Sequence, residues 1–498
     1  MTIISRILGF IRDVVIAHAF GAGTHTDAFF VAFKIPNFMR RLFAEGAFSQ
    51  AFTPVLSEYK TQRDKVEVKQ LVDQVAGHLG GILLLVTVIA IVIAPLLVLI
   101  FAPGFIQYQD KYELTVTMLQ ITFPYALFIA LTAFAGAILN TYGQFGVPAF
   151  TPTLLNVCLI GAAIWFAPYF EQPVIALAWG VFIGGALQLI FQIPFLFRLR
   201  LLPKPRIGRR NEGVRKIYRL MIPALFGVSV SQINLLVDTL MASFLVTGSI
   251  SWLYYSDRLM EFPLAVFGLA LATVMLPDLS KSVARGDMQK YNNTLDWALR
   301  WVFLIGVPSM LGLIVLAGPM LTTLFHYGQF SDHDVAMAAR SLVAYAFGLL
   351  GFIFIKVLAS GFYSRQDTRT PVKIAVIAMI TNLVLNLAFI LPLAHAGLAL
   401  ATSLAALLNA FLLYRGLRKQ EFFKPQSGWN RFLLRIFIAG GCMALLLWWG
   451  SGSLSAWLNM AMLDRAGHLF GWIIVGMLVY LMILVLFGFR LHHLSLKE

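Results

Sequence analysis

Five charged residues lie inside a long hydrophobic segment near the start of the chain, where their spacing suggests a functional surface. The segment, residues 27–60, runs for more than thirty positions, enough for a helix to cross a bilayer. Its embedded charges are Asp27, Lys34, Arg40, Arg41 and Glu45. At 100° per residue, all of them except Arg40 fall within about 40° of one another and form one charged stripe.

Proline and the membrane environment both constrain this segment. Pro36 lacks a backbone N–H, so the sequence predicts a kink or break between Lys34 and Arg41. An ion that faces lipid costs about 2.5–3.5 kcal/mol, so the stripe is expected to face other helices or water. Charged residues inside a membrane helix predict a functional site.

The composition predicts an all-α integral membrane protein. Of 498 residues, 59% are hydrophobic and 12% are charged, and the mean hydropathy is +0.81. A soluble domain carries about 25% charged residues. The apolar runs are too long for barrel strands. Cys158 and Cys442 both lie in apolar runs, so neither a disulfide nor a metal centre built on them is expected, and no cofactor is predicted.

Hydrophobic runs between polar or Gly/Pro-rich breaks predict about fourteen transmembrane helices. They cover residues 1–20, 26–58, 72–102, 113–141, 147–168, 173–198, 217–245, 250–279, 295–326, 333–363, 371–393, 395–417, 431–450 and 466–489. Loops after even-numbered spans, with the C-terminal tail, hold 25 Lys and Arg residues, against only Lys111 and Arg465 on the other side. This asymmetry predicts that both termini are cytoplasmic. It also explains the net charge of +15 without a nucleic-acid partner.

Matches at an offset of 223 residues indicate two parallel six-helix repeats. Pro54, Leu56 and Ser57 fall on Pro277, Leu279 and Ser280, and further matches occur in two other helices. Repeats of this kind enclose a central cavity and rock against each other in alternating access. The predicted organisation is an N-terminal lobe, a basic cytoplasmic linker, a C-terminal lobe and two extra helices: 1–198, 199–216, 217–420 and 421–498.

Further charges lie inside other spans. Arg6 and Asp13 are seven residues apart and could pair, whereas Arg12 points elsewhere and has no predicted local partner. Asp257 and Glu261 are one turn apart in span eight, and Arg258 lies three residues before Glu261. Lys356 and Asp238 each stand alone in a span.

Two interpretations of these charges remain open. The charges could pair internally and hold helices together, or the cations could bind an anionic ligand. Seven cations face few buried anions, and an unpaired buried charge is costly, which favours the ligand. The planar fork of Arg suits a phosphate or diphosphate. The sequence contains neither a P-loop nor an H-E-x-x-H motif, so an enzyme is not expected.

Several long motifs closely resemble those of the MurJ family, also called MviN. They are SRILGFIRD (5–13), FGAG (20–23), TDAFFVAFKIPNFMRRLFAEGAFSQAF (26–52), YYSDRLMEFP (254–263), LPDLSKS (276–282) and KVLASGFYSRQDTRTPVKIA (356–375). The resemblance implies a bacterial inner-membrane flippase for lipid II, the undecaprenyl-diphosphate-linked peptidoglycan precursor. It also implies the fold of the MOP exporter superfamily, with a groove for the lipid tail formed by the two extra helices.

The resemblance also implies site residues, to which the charged stripe adds Arg41 and Glu45. Those expected to bind substrate are Arg6, Arg12, Asp27, Lys34, Arg40, Arg41 and Arg258. Those expected to act in gating or coupling are Glu45, Asp257, Glu261 and Lys356. Some family members bind sodium, for which this chain offers Asp238, Asn382, Asn386 and Thr402.

The expected function is therefore ATP-independent flipping of lipid II, with lipid II, membrane lipids and cell-wall synthesis enzymes as partners. The alternatives are an exporter of another lipid-linked oligosaccharide, a drug or ion antiporter of the same superfamily, and a non-transporting scaffold. A cation antiporter would need an acidic cavity, which the basic residues of the N-terminal spans argue against.

Overall fold

The computed structural model describes residues 2–41, 48–206, 208 and 212–489, and every regular element in these ranges is helical. Within them, ten helices are long and apolar enough to cross a membrane. The chain is therefore an all-α, multi-pass membrane protein, as its composition predicts. The number of fourteen spans stays a prediction.

The first compact unit covers residues 1–251. Its helices are α1 (Thr2–Phe20), α2 (Thr24–Arg40), α3 (Phe48–Gln62), α4 (Lys65–Val92), α5 (Ala94–Phe101), α6 (Gln109–Thr122), α7 (Pro124–Thr141), α8 (Gly146–Phe150), α9 (Pro152–Gly161), α10 (Ile175–Arg198) and α11 (Glu212–Ser243). One apolar core of this unit joins α3, α4 and α7, where the tilted rings of Phe52 and Phe134 lie 5.0 Å apart between centroids.

The second compact unit covers residues 252–498. Its boundary falls in the first turn of α12, and its helices are α12 (Ser249–Pro263), α13 (Leu269–Ala284), α14 (Met288–Val315), α15 (Ala317–Phe325), α16 (Asp332–Ala346), α17 (Leu349–Tyr363), α18 (Arg369–Lys419), α19 (Trp429–Ser451), α20 (Leu454–Leu458) and α21 (Met462–Leu486). An apolar core joins α14, α19 and α21 through residues such as Val307, Ile436 and Leu484.

The repeat offset seen in the sequence recurs in the helix bounds. Helices α4 and α14 each have 28 residues, and both of their ends are 223 positions apart. Each helix is capped by an aspartate at the same place, Asp64 accepting from the Glu67 amide and Asp287 accepting from the Lys290 amide. Such a side chain satisfies an amide that the first turn leaves unpaired.

Helix α2 does not break at Pro36, contrary to the possibility of a break there. It runs through Pro36 to Arg40. The missing N–H of Pro36 leaves the Ala32 carbonyl without its helical donor, and the Thr122 hydroxyl on α6 donates to that carbonyl at 3.1 Å. A contact from a neighbouring helix therefore replaces the lost hydrogen bond.

A predicted boundary between two spans is confirmed inside α18. The sequence places it between residues 393 and 395, and the backbone leaves helical geometry at Ala394, with φ of 49° and ψ of −131°. Gly397 approaches the Phe389 carbonyl so closely that a Cβ there would lie 2.3 Å from its oxygen. The tight approach explains why a glycine follows this turn.

Candidate functional site

Among the described residues of the first unit, Asp27 is the charged residue that accepts the most hydrogen bonds. It lies in the first turn of α2 and is 1% exposed. Its carboxylate accepts from Lys111 Nζ at 2.8 Å, the Gly248 amide at 2.8 Å, and the amide and hydroxyl of Ser251 at 2.9 and 2.7 Å. Three separate segments of the chain therefore meet at one buried carboxylate.

Asp27 caps α12 from outside that helix. The residue before α12 is Gly248, whose φ of 99° and missing side chain leave the helix without a cap of its own. The Asp27 carboxylate supplies the acceptor that an Asp or Ser at this position would normally provide. Its negative charge is also favourable beside the positive end of the helix dipole.

Lys111 is a member of this site that the sequence analysis missed. It was counted there as an external loop residue, yet it is 3% exposed and its ammonium lies 4.2 Å from the Phe105 ring centroid as well as beside Asp27. Helical periodicity could not reveal a partner 84 positions away. The available signal was its place just before the predicted span 113–141, because a charge near hydrocarbon needs a partner.

The segment before Lys111 also holds the end of α11. The Gly104 amide donates to the Ser243 hydroxyl at 3.1 Å, and a Cβ on Gly104 would lie 2.2 Å from the Ser243 carbonyl oxygen. Only glycine permits this approach without movement. The segment 243–251 is therefore held at both of its ends, by contacts with Gly104 and with Asp27.

Arg12 is paired, which corrects the expectation that it lacks a local partner. Its guanidinium donates to Asp13 at 2.9 and 2.6 Å and to the Asn156 side chain on α9 at 3.0 Å. Arg12 is 9% exposed and Asp13 is 2% exposed. The predicted Arg6–Asp13 pair does not form, because the long Arg12 side chain folds back onto its neighbour. Arg6 is exposed and makes no ion pair within the described residues.

The remaining cations of α2 are partly exposed. Lys34, Arg40 and Arg41 all fall in this class, and Arg40 Nε donates to the Asn37 side chain at 2.6 Å. Asn37 lies about one turn earlier on the same helix, so this contact holds Arg40 along the helix surface. Glu45 lies outside the described residues.

The span-eight motif forms the ion pair that its spacing allows. Arg258 donates to Glu261 at 2.9 Å, with side chains 33% and 42% exposed, and its guanidinium lies 4.9 Å from the Tyr254 ring centroid. Asp257 is partly exposed on the same helix. An accessible pair of this kind is worth about 0–1 kcal/mol, so an incoming anion could displace Glu261 at little cost.

Lys356 opens the last motif and is exposed on α17. No hydrogen bond to its ammonium occurs within the described part of the chain. Farther along, Asp367 precedes α18 and accepts from the Thr370 amide at 3.0 Å. Hydrogen bonding from Thr370 holds the pKa of Asp367 below its usual range, so this carboxylate is charged where it caps the helix.

The residues considered for sodium carry side-chain oxygens, the ligand atoms that hard cations prefer. Asn382 and Asn386 are fully buried and lie one turn apart on α18, and the Thr402 hydroxyl donates to the Leu398 carbonyl at 3.0 Å. Asp238 is partly exposed on α11, in the other unit. Within the described ranges, no three His, Cys, Asp or Glu residues gather as metal ligands. Sodium binding stays a prediction.

A second site that sequence reasoning missed lies in the second unit. Trp252 Nε1 donates to Asp334 at 2.8 Å, and the Trp252 ring lies 4.9 Å from His395 and 5.5 Å from His333 between centroids. Asp334 also accepts from the amide and hydroxyl of Ser331, which completes a capping box at the start of α16.

The family model described as lipid II flippase MurJ matches residues 16–466 of this chain. The chain belongs to the MurJ family. The probable lipid II flippase MurJ of Haemophilus influenzae is 49% identical over 100% of both chains. A solved structure of lipid II flippase MurJ in an inward closed conformation is 28% identical, with a TM-score of 0.83 over 98% of this chain and 97% of that one.

A more distant likeness concerns the fold alone. An inward-facing multidrug resistance transporter of the MATE family, within the MOP superfamily, is 14% identical, with a TM-score of 0.69 over 84% of this chain and 95% of that one. The MurJ family and the MATE transporter thus share an architecture. The match to the MurJ family also includes Asp27, Lys111 and Arg258 within its range.

Proposed function

We propose that this chain flips lipid II from the cytoplasmic to the periplasmic leaflet of a bacterial inner membrane by alternating access, without ATP. The observation that carries the proposal is the match to the lipid II flippase family over residues 16–466. The absence of a P-loop from the sequence supports independence from ATP. Cell-wall synthesis enzymes are the proposed protein partners.

The basic residues are proposed to bind the diphosphate in two different ways. Arg258 has a partly exposed guanidinium that pairs with Glu261 and lies against Tyr254, and its planar fork suits two phosphate oxygens. Arg12 is buried and bonded through all three guanidinium nitrogens to Asp13 and Asn156, so its proposed contribution is that of a group fixed in one orientation. The other proposed contacts come from exposed or partly exposed cations: Arg6, Lys34, Arg40 and Arg41.

Asp27 is proposed to belong to the substrate-binding region, where its contacts with Lys111, Gly248 and Ser251 hold the start of α2 in place. The Lys and Arg asymmetry of the loops supports cytoplasmic termini, which puts the start of α2 on the periplasmic side. Roles in gating or coupling are proposed for Glu45, Asp257, Glu261 and Lys356. The division of the chain into two lobes, a linker and two extra helices, with a groove for the lipid tail at 421–498, belongs to the same proposal.

The test is rescue of growth in cells depleted of their own lipid II flippase. We expect the wild-type chain and the control Arg285→Ala to rescue, because Arg285 is an exposed loop cation. Arg258→Ala and Arg12→Ala are expected to fail at equal membrane levels. Rescue by both variants would reject the basic site. Failure of the well-expressed wild type would favour another lipid-linked substrate.

A further inference from the structure

His395 joins two helices of the second unit beside the backbone break in α18. It is 4% exposed and directly follows Ala394, where the backbone leaves helical geometry. Its Nε2 lies 3.0 Å from the Met337 carbonyl oxygen on α16. A carbonyl oxygen can only accept, so Nε2 carries a proton and donates it. This hydrogen bond holds the start of the second half of α18 against α16.

The other ring nitrogen of His395 has no donor or acceptor beside it. Nδ1 is buried and makes no hydrogen bond to any described residue. The neighbour on α12 is Trp252, which does not titrate and whose ring centroid lies 4.9 Å from that of His395. A proton on Nδ1 would be a buried N–H without an acceptor, which is costly for a charged ring. The observed conformation therefore holds His395 in its neutral form.

The charged groups around His395 do not provide a partner for a second ring proton. Arg340 and His333 on α16 repel a further positive charge. The Asp334 carboxylate would attract it, but both of its oxygens already accept hydrogen bonds from other groups. On α18 itself, residues 374–414 contain no Asp, Glu, Lys or Arg. A proton is therefore bound more readily where Nδ1 meets water.

Ser341 is placed to replace His395 at the Met337 carbonyl. It lies four residues later on α16, the spacing at which a serine hydroxyl donates to a helical carbonyl. Its hydroxyl is buried and makes no hydrogen bond within the described part of the chain. If His395 leaves, the Met337 carbonyl thus has a second donor within reach.

Other contacts restrict such a release to one end of the α16–α18 pair. Farther along α18, the Ser403 hydroxyl donates to the Ala344 carbonyl at 2.7 Å. The Ser256 hydroxyl on α12 donates to the Ala338 carbonyl at 2.7 Å and holds α12 on α16. Serine does not titrate in the range of histidine, so acid acts on the His395 contact and leaves these two in place.

We propose that His395 is a proton-binding site of the second unit, and that binding a proton there releases the start of the second half of α18 from α16. In the released state the imidazolium meets water and Ser341 donates to the Met337 carbonyl. The Lys and Arg asymmetry assigns this end of the helices to the periplasm, so the proton comes from that side. The inference goes beyond the proposed function and does not depend on which lipid is transported.

The direction of the pH effect follows from the two states. An imidazole in water titrates near about pH 6.5, whereas the bonded conformation disfavours the second proton. The bonded conformation therefore keeps its full stability above about pH 6.5 and loses stability as the pH falls below that value. Between about pH 7.5 and about pH 5.5, the equilibrium should shift about tenfold toward release.

The experiment measures hydrogen exchange of the full chain in nanodiscs at these two pH values, corrected for the intrinsic pH dependence of exchange. For the wild type, we expect the protection of amides in residues 389–400 to fall about tenfold at the lower pH. His395→Gln keeps an N–H donor for the Met337 carbonyl but does not titrate, so its protection should change less than about twofold.

Two further variants separate His395 from its surroundings. His333→Gln removes the exposed histidine beside Trp252 and should keep the wild-type response. Ser341→Ala removes the replacement donor, so protection should rise at both pH values while their ratio stays about tenfold. Thermal unfolding of each variant checks its fold.

A wild-type profile without pH dependence would overturn the inference, and this result requires no variant to fold. A tenfold change retained in folded His395→Gln would also overturn it, as would loss of the change in His333→Gln. Growth rescue by the wild type is scored separately. Failure of the proton site therefore leaves the proposed function intact.

Discussion

One pair of equivalent positions, in the first turns of α6 and α16, carries opposite charges in the two repeats. Lys111 and Asp334 are 223 positions apart, and each contacts a residue near the start of the second helix of its repeat. In the first unit that residue is Asp27, a carboxylate. In the second it is Trp252, a neutral donor.

The two contacts differ in which other groups donate hydrogen bonds to the carboxylate. Asp27 uses it on Gly248 and Ser251, which belong to a distant segment. Asp334 uses its second oxygen on Ser331, three residues earlier on its own helix. The carboxylate at this contact therefore also bonds a distant segment in the first unit, and the cap of its own helix in the second.

A second pair of equivalent positions is alike in both units. Asp73 on α4 and Asp296 on α14 are also 223 positions apart, and each accepts from a backbone amide of the segment that follows the sixth helix of its repeat. The amides belong to Lys204 and Gln426. The repeats thus share this tie, and they differ at the Asp27 and Trp252 contacts.

The largest effect is expected from removing the Lys111 ammonium in the first unit. Lys111→Met leaves the Asp27 carboxylate buried without its counter-ion, which costs about 3–5 kcal/mol. We expect a lower unfolding temperature in detergent and loss of growth rescue. The exposed cation Arg431 provides the matched control Arg431→Met. Wild-type stability in Lys111→Met would show that the pair contributes nothing.

A charge swap separates ion pairing from helix capping. The double variant Asp27→Lys with Lys111→Asp keeps an ion pair but turns a donor toward the amides of Gly248 and Ser251. Two unpaired buried amides cost roughly 2–4 kcal/mol. We expect no growth rescue and stability still below that of the wild type. Full rescue would mean that only the pairing matters and that capping of α12 does not.

The smallest effect is expected in the second unit. Trp252→Phe removes one donor to Asp334, which keeps its bonds to Ser331, so we expect a loss of about 1.5 kcal/mol. Growth rescue should persist, because Asp334 keeps its hydrogen bonds to Ser331 and the aromatic packing is retained. The measurements are thermal unfolding and complementation. Loss of transport with stability retained would contradict the assignment of a merely structural role.

The sequence predicted the helical elements well because their causes are local. Long apolar runs make spans in either repeat, and the boundary at Ala394 follows from the polar and small residues around it. The Arg258–Glu261 pair forms because a spacing of three residues on one helix brings the two side chains together. Local rules failed at Pro36, where Thr122 of another helix compensates for the missing hydrogen bond.

The candidate site was predicted only in part. The sequence identified Asp27 and Arg12 as charges inside the membrane that need partners, because hydrocarbon does not solvate ions. It did not identify Lys111 or Asn156, since their positions beside Asp27 and Arg12 depend on how distant helices pack.

The sequence by itself determined that this chain crosses a membrane and that its helices repeat after 223 residues. Apolar periodicity and composition act over neighbouring residues, and so they can be read along the chain. Only the tertiary structure decided that Lys111 neutralises Asp27 and that Asp27 caps α12. A carboxylate can accept several hydrogen bonds, and the packing of distant segments determines which donors reach it.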